Sequence, residues 1–291
     1  MEQMKFINPN WNLAGLSAFE QLSDEELTRQ ANKHSRKEPR EGYECPKCGN
    51  YEQIYVYENG VFAYTRDCVC KRKRNSLARV RRAGLTDLLK RCTFDTFQTE
   101  QKWQQIAKQA VQAFVGDNER GWLLLSGQSG CGKTHLCTAA VGAFIEQGQD
   151  VNIMRWVNDS AMLKGLLNDT YEREKRLNAF KRAPVLLIDD LFKSQASEKP
   201  TSADIRLAYD LLNYRYENRK LITMLSTERT VSELKQIDEA IGGRIYEMAK
   251  GYCLEIGGGN KNWRFAEHYP PVTNTPARQN DVHQPQTSTQ E

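Results

Sequence analysis

The sequence predicts an α/β fold: a parallel sheet flanked by helices, preceded by a small β-hairpin unit. Three observations predict it. The run Gly121-Trp122-Leu123-Leu124-Leu125-Ser126 enters a glycine-rich turn, Gly127-Gln128-Ser129-Gly130-Cys131-Gly132-Lys133-Thr134, and leaves it into a long amphipathic stretch, in the order strand, turn, helix. Four apolar residues, Val185 to Ile188, stand directly before Asp189-Asp190, as expected of a central strand buried on both faces whose acidic end emerges at the ligand edge of the sheet. Two close cysteine pairs, Cys45/Cys48 and Cys68/Cys70, lie ahead of both.

A chain of 291 residues with 39% hydrophobic residues suits one sizeable domain and a small one. No apolar run approaches membrane length, and Met1-Glu2-Gln3-Met4-Lys5-Phe6 has no basic region leading into an apolar core, so the expectation is a cytoplasmic protein without membrane contact. The net charge of +4 is too mild to imply a polyanionic partner by itself. Eight cysteines in such a chain point away from disulfides.

Residues 1–40 are polar, with a capping box at Ser23 and Glu26 that opens a short helix to about Ala31. Upstream, Trp11, Leu13, Leu16, Phe19 and Leu22 supply one face, either for a partner protein or for the neighbouring cysteine segment. In residues 41–75, Cys45 and Cys48 are followed after nineteen residues by Cys68 and Cys70, four thiolates suited to a closed tetrahedral zinc site. Between the pairs, two strands flank Glu58-Asn59-Gly60, a tight hairpin turn. So small a unit needs the metal to fold. Its tyrosines fit core packing, with base stacking as the alternative. From Arg66 to Arg82 eight basic residues face one acidic residue, Asp67, which suits either phosphate binding or a solvated helical linker continuing over 76–95.

From residue 96 to 266 helical and strand patterns alternate. A helix over about Glu100 to Val115 precedes the Trp122 strand. The helix after the turn puts Leu136, Ala140, Ala143, Phe144 and Gln147 on one face and stops at Gly148. A strand over Val151 to Trp156 precedes a helix starting at Asp159 or Ser160, and Tyr171 to Lys181 forms an exposed helical face. After the Val185 strand come a helix starting at Ser202 or Asp204, a strand over Leu221 to Thr227, a capping box at Thr230 and Glu233, a short helix over Ala240 to Ala249 and a closing strand over Tyr252 to Ile256. The stretch 267–291, rich in Pro, Gln, Thr and Asn, is expected to be disordered.

The turn fits the P-loop pattern G-x-x-x-x-G-K-[ST] in its required context. Its backbone N–H groups can cradle a polyphosphate from Gly127 through Thr134 and on to His135 at the helix start. Lys133 would reach the β and γ phosphates of ATP, and Thr134 would ligate Mg²⁺ with Asp189. Asp190 would orient or polarise the attacking water.

With both nucleotide motifs in this order, the chain resembles the P-loop NTPases of the AAA+ class. More narrowly it is similar to the replicative helicase loaders of the DnaC/DnaI type, phage-encoded versions included, with the transposition helper IstB as a near relative. The narrower likeness rests on Asp189-Asp190, on Asn213-x-Arg215-Tyr216 and on the cysteine pairs. The resemblance implies a sensor contact to the γ-phosphate at Ser226-Thr227, although Glu228 stands where relatives often carry Asn. It also implies an arginine finger at Arg244 and a second sensor at Arg264. The function it implies is an ATPase that loads a hexameric replicative helicase onto single-stranded DNA, with the N-terminal region holding the helicase and protomers self-associating so that Arg244 of one completes the site of the next. An IstB-like transposition helper and a zinc-dependent nucleic-acid-binding module that uses ATP only as a structural ligand are the alternatives. A P-loop small-molecule kinase fits the core motif alone but gives the cysteine-linked basic extension no role.

Overall fold

The computed structural model describes residues 23–34, 37–38, 43–117, 121–166, 168–193, 199–258 and 261–263. The apolar positions Trp11 to Leu22, Arg264 and the stretch 267–291 lie outside the described residues.

Strands β3 (Trp122–Gly127), β4 (Val151–Arg155), β5 (Val185–Asp189), β6 (Ile222–Thr227) and β7 (Cys253–Ile256) form one sheet in the order β4-β5-β6-β3-β7. All four pairings are parallel. The two-residue period of β3 divides its leucines between two apolar layers. Leu124 joins Leu186, Ile188 and Leu225 on one face. Leu123 and Leu125 join Leu187 and Met224 on the other. The first face is covered by α6 (Trp156–Gly165), α7 (Thr170–Lys181), α8 (Ser202–Glu217), α9 (Val231–Ile237) and α10 (Glu239–Met248), which contribute Leu163, Leu177, Leu211, Leu234 and Ile245. The second is covered by α4 (Lys102–Gly116) and α5 (Lys133–Glu146), through Val111, Phe114, Leu136 and Phe144. Each such buried side chain contributes roughly 1.5–3 kcal/mol relative to exposure, which is why the apolar periodicity is a strong predictor here. Because β6 inserts between β3 and β5, the ends of all three strands share one edge. That edge carries Gly127, Ser226 and Asp189.

One expected element start moves, and one expected exposure changes. Trp156 begins α6 rather than ending β4, because the Asp159 carboxylate accepts the Arg155 N–H at 2.6 Å and closes the first turn early. Its indole packs edge-on to Phe192 in the core. Helix α8 starts at Ser202, the first of the two expected positions, behind a reciprocal capping box between Thr201 and Asp204. Helix α7 is not wholly exposed, since Leu177 and Phe180 are buried.

Ahead of the sheet, α1 (Asp24–His34) packs on the hairpin of β1 (Gln53–Glu58) and β2 (Val61–Asp67). Its Asp24 carboxylate accepts the N–H groups of Asn59 and Gly60 at the hairpin turn, and Asn32 accepts the Tyr55 N–H. The Ser23–Glu26 box forms, and the helix continues to His34. Helix α2 (Val69–Arg82) starts inside the cysteine cluster and lies against α5 and β4; the short α3 (Thr86–Arg91) follows. Among the described residues no helix is long and apolar enough to cross a membrane.

Arg215 has a structural place. It is fully buried on α8, and its guanidinium donates to the carbonyls of Phe180, Lys181, Ala183 and Ile222 and to Thr223 Oγ1, at 2.7 to 3.1 Å. Burial pulls its pKa down to about 9, so it stays charged at neutral pH. It ties the end of α7 and the start of β6 to α8, where water cannot satisfy those carbonyls.

Candidate functional site

The glycine-rich turn leaves β3 and re-enters the fold at Lys133, the first residue of α5. Gly132 caps that helix in the left-handed region, φ +91°, with the Phe97 ring only 2.7 Å from where a Cβ would stand. Any side chain there would be strained and would collide. Gly130, φ +78°, is approached in the same way by the Asn262 side chain. Lys133 is buried and its Nζ donates to the carbonyls of Gly127 at 2.8 Å and Gln128 at 2.9 Å, a lysine folded against the loop it serves. His135 packs edge-on to Phe97, with Nε2 at 2.9 Å from the Thr93 carbonyl, so it anchors the preceding segment beneath the loop. Burial raises the Cys131 thiol above its ordinary range.

Across the edge, Thr134 Oγ1 donates to Asp189 Oδ1 at 3.1 Å, and Ser226 Oγ donates to the same oxygen. Ser226 also accepts the Asp190 N–H at 2.8 Å, which holds the second aspartate in a left-handed turn, φ +59°. Desolvation pushes the Asp189 carboxyl above the usual range; the Ser226 hydrogen bond opposes this and the charge of Asp190 adds to it. A hydroxyl and a desolvated carboxylate side by side form a hard-oxygen donor pair, which fits magnesium at Thr134 and Asp189. Behind Asp189, a small apolar crevice is walled by Val80, Leu85, Leu88 and Leu89, so the α2–α3 segment backs the site.

The sensor candidates separate. Ser226 faces Asp189, whereas Thr227 is fully buried and donates to the Leu191 carbonyl at 2.8 Å. Arg244 on α10 lies over the rings of Tyr209 and Tyr216, with a buried Nε that lacks a hydrogen-bond partner. It is not joined by any described contact to the P-loop of its own chain. Three residues escape motif reasoning. Lys193 pairs at 3.1 Å with both Asp190 and Glu228, and Asn262 and Trp263 sit on the loop, the Trp263 N–H bonding the Gly130 carbonyl. The spacing of Lys193 three residues after Asp190 becomes informative only once the turn at Asp190 is known.

The four cysteines converge. Their Sγ atoms lie within 4.8 Å of one another and are buried, with Cys45–Cys68 at 3.7 Å and Cys48–Cys70 at 3.4 Å. Tetrahedral zinc with bonds of about 2.3 Å needs sulfurs just under 4 Å apart, so the donor set fits zinc. Burial pushes the Cys68 thiol up to about 11 and Cys70 higher still. Arg74, buried beside them, donates to Asn50 Oδ1, the Tyr43 carbonyl and Cys70 Sγ. Asn50 in turn accepts the Cys45 N–H. The basic run is therefore not one cationic surface. Arg74 lies beside the cysteines, Lys71 pairs with Asp67, Lys73 with Glu146, and Arg79 with Asp150 and the Val151 carbonyl. Arg72, Arg81 and Arg82 are the basic members of α2 that are exposed.

Residues 88–249, more than half of the chain, match the family of the bacterial DnaA ATPase domain. The phage-like element PBSX protein XkdC of Bacillus subtilis strain 168 is 37% identical over 227 residues, covering 74% of this chain and 83% of XkdC. The chain belongs to the DnaA-type AAA+ ATPases. This DnaC-like ATPase is also 24% identical over 172 residues to the replicative helicase loader DnaC of Escherichia coli strain K12, covering 58% of this chain and 67% of DnaC. Its fold matches the crystal structure of the DnaC helicase loader with a TM-score of 0.51, at 24% identity, over 58% of this chain and 98% of that one. An ATPase domain of this family explains why Lys133, Thr134, Asp189 and Ser226 meet at one sheet edge.

Proposed function

We propose that this DnaC-like ATPase delivers a hexameric replicative DNA helicase onto single-stranded DNA during replication initiation, driven by hydrolysis of ATP to ADP and phosphate. The observation that carries it is the edge where the Thr134 hydroxyl meets Asp189 beside Lys133, in a chain whose relatives include a replicative helicase loader. Lys133 releases its loop carbonyls and binds the β and γ phosphates, while the N–H groups from Gln128 to His135 line the polyphosphate. Thr134 and Asp189 would hold magnesium, which when bound neutralises developing phosphate charge. Asp190 accepts a proton from, or orients, the attacking water, and Ser226 keeps both aspartates in place.

Arg244 is assigned to the neighbouring protomer's site. Its guanidinium rests on two aromatic faces with Nε unsatisfied, an arrangement that a phosphate across a protomer interface would complete. Arg264, outside the described residues, keeps the second sensor role that the family resemblance implies. Residues 1–40 hold the helicase, and the exposed arginines of α2 engage DNA. Zinc held by Cys45, Cys48, Cys68 and Cys70 stabilises the hairpin unit that supports α1 and starts α2.

The test is co-purification of the full chain with a candidate hexameric helicase, with ATP and with Lys133→Ala. Retention of the helicase that changes with nucleotide, and that the variant does not reproduce, is expected. Recovery of a transposase and no helicase would move the function to the IstB type.

A further inference from the structure

Lys193 is the cation that the known motifs leave without a task. It follows β5 by four residues, at the end of a turn in which both Asp190 and Phe192 hold left-handed angles, each with φ +59°. Two non-glycine residues in that region within one turn is a costly arrangement, and such strain collects at functional sites. The turn is held by Ser226, which accepts the Asp190 N–H and leaves its carbonyl to the Leu191 N–H at 2.8 Å, and by Thr227, which donates to the Leu191 carbonyl. Phe192 is buried against Trp156. The result is that Lys193 Nζ points back over the strand end.

Nζ stands 3.1 Å from the Asp190 carboxylate and 3.1 Å from that of Glu228. Glu228 follows β6, and against desolvation the nearby Ser129 hydroxyl of the P-loop adds to the Lys193 ammonium in holding its carboxyl below the usual range. Lys193 therefore bridges two strand ends at the nucleotide crevice, Asp190 after β5 and Glu228 after β6. Desolvation pulls its pKa down, but the hydrogen bonds to Asp190 and Glu228 outweigh it, so the ammonium stays charged.

We propose that Lys193 distinguishes ATP from ADP: its ammonium exchanges a carboxylate partner for the γ-phosphate, and in doing so releases Asp190 to act on water. This rests on the ATPase proposed above. Three groups compete for one ammonium, and only the triphosphate places charge at the loop end nearest Asp190. With ADP the ammonium keeps both carboxylates, and Asp190 remains an ion-pair partner rather than a base. Glu228, at the position where relatives often carry Asn, then serves as the counter-anchor that returns Lys193 after phosphate leaves.

Equilibrium binding of fluorescent ATP and ADP analogues to the full chain, to Lys193→Met and to Lys193→Arg tests this without turnover. Wild type is expected to prefer the triphosphate. Lys193→Met should weaken ATP by about tenfold, the scale of one charge-assisted hydrogen bond, and leave ADP unchanged. Lys193→Arg should keep much of the preference. An ATP-to-ADP affinity ratio in Lys193→Met equal to that of wild type would overturn the proposal while leaving the ATPase assignment intact. Wild type that binds neither nucleotide would overturn both.

Discussion

At the scale of single residues, Asp189 and Arg215 show how burial divides function from scaffold. The Asp189 carboxyl is raised in the fold, chiefly by desolvation, so the folded chain holds that proton more tightly than the unfolded chain. The stability it contributes is full below the ordinary value of 3.8 and is lost as pH rises through the folded value. At neutral pH the ionised carboxylate is thus a cost to the fold, justified by a cation. Asp189→Asn is expected to raise the thermal midpoint without ligand and to lose the magnesium dependence of nucleotide binding; a lower midpoint in calorimetry would contradict the assignment. Arg215 is the opposite case. Removing a buried charge-bearing hub leaves four carbonyls and Thr223 without their donor, and Arg215→Met should cost about 3–5 kcal/mol in denaturant unfolding. The pattern Asn213-x-Arg215-Tyr216, legible in sequence only as a family likeness, has a packing explanation.

At the scale of elements, helix α2 separates basic residues that charge counting merged. Its inner basic residues fasten the cysteine unit to the ATPase sheet: Arg74 beside the four cysteines, Lys73 and Arg79 on the α5–β4 connection. Its exposed Arg72 and Arg82 are among the arginines assigned to DNA in the proposed function. In single-stranded DNA binding, Arg72→Ala and Arg82→Ala should each lower the salt-dependence slope by about 0.7. Arg74→Ala should instead reduce the zinc content measured on the purified chain. Equal salt slopes in all three variants would place DNA elsewhere. Sequence patterning found these elements readily, because apolar periods, capping boxes and Asn-Gly turns are local. It misplaced the start of α6, where Asp159 reaches back to Arg155, and it could not separate buried from exposed arginines on one helix, since that depends on what α5 and β4 present to it.

At the scale of the whole molecule, the strand order explains most of what the motifs could not. Inserting β6 between β3 and β5 brings Ser226, rather than Thr227, between the phosphate loop and Asp189, and the period of two sends its neighbour into the core. Sequence alone left that pair unresolved because one residue of register decides it. The same order carries Lys193 and Glu228 to the crevice from two different strand ends. Arg244 packs on Tyr209 and Tyr216 and makes no described contact with its own P-loop, so under the assignment proposed above turnover should depend on protomer concentration. Arg244→Ala is expected to lower it by on the order of 10³ or more at saturating protein, in a steady-state phosphate-release assay. Unchanged turnover would remove the arginine from the site.

The most direct measurement is calorimetric titration of the full chain with ATP and magnesium. One binding event per chain in wild type, lost in Lys133→Ala and dependent on magnesium through Asp189, is the predicted result. No heat of binding from a folded wild-type chain would contradict the account at its centre.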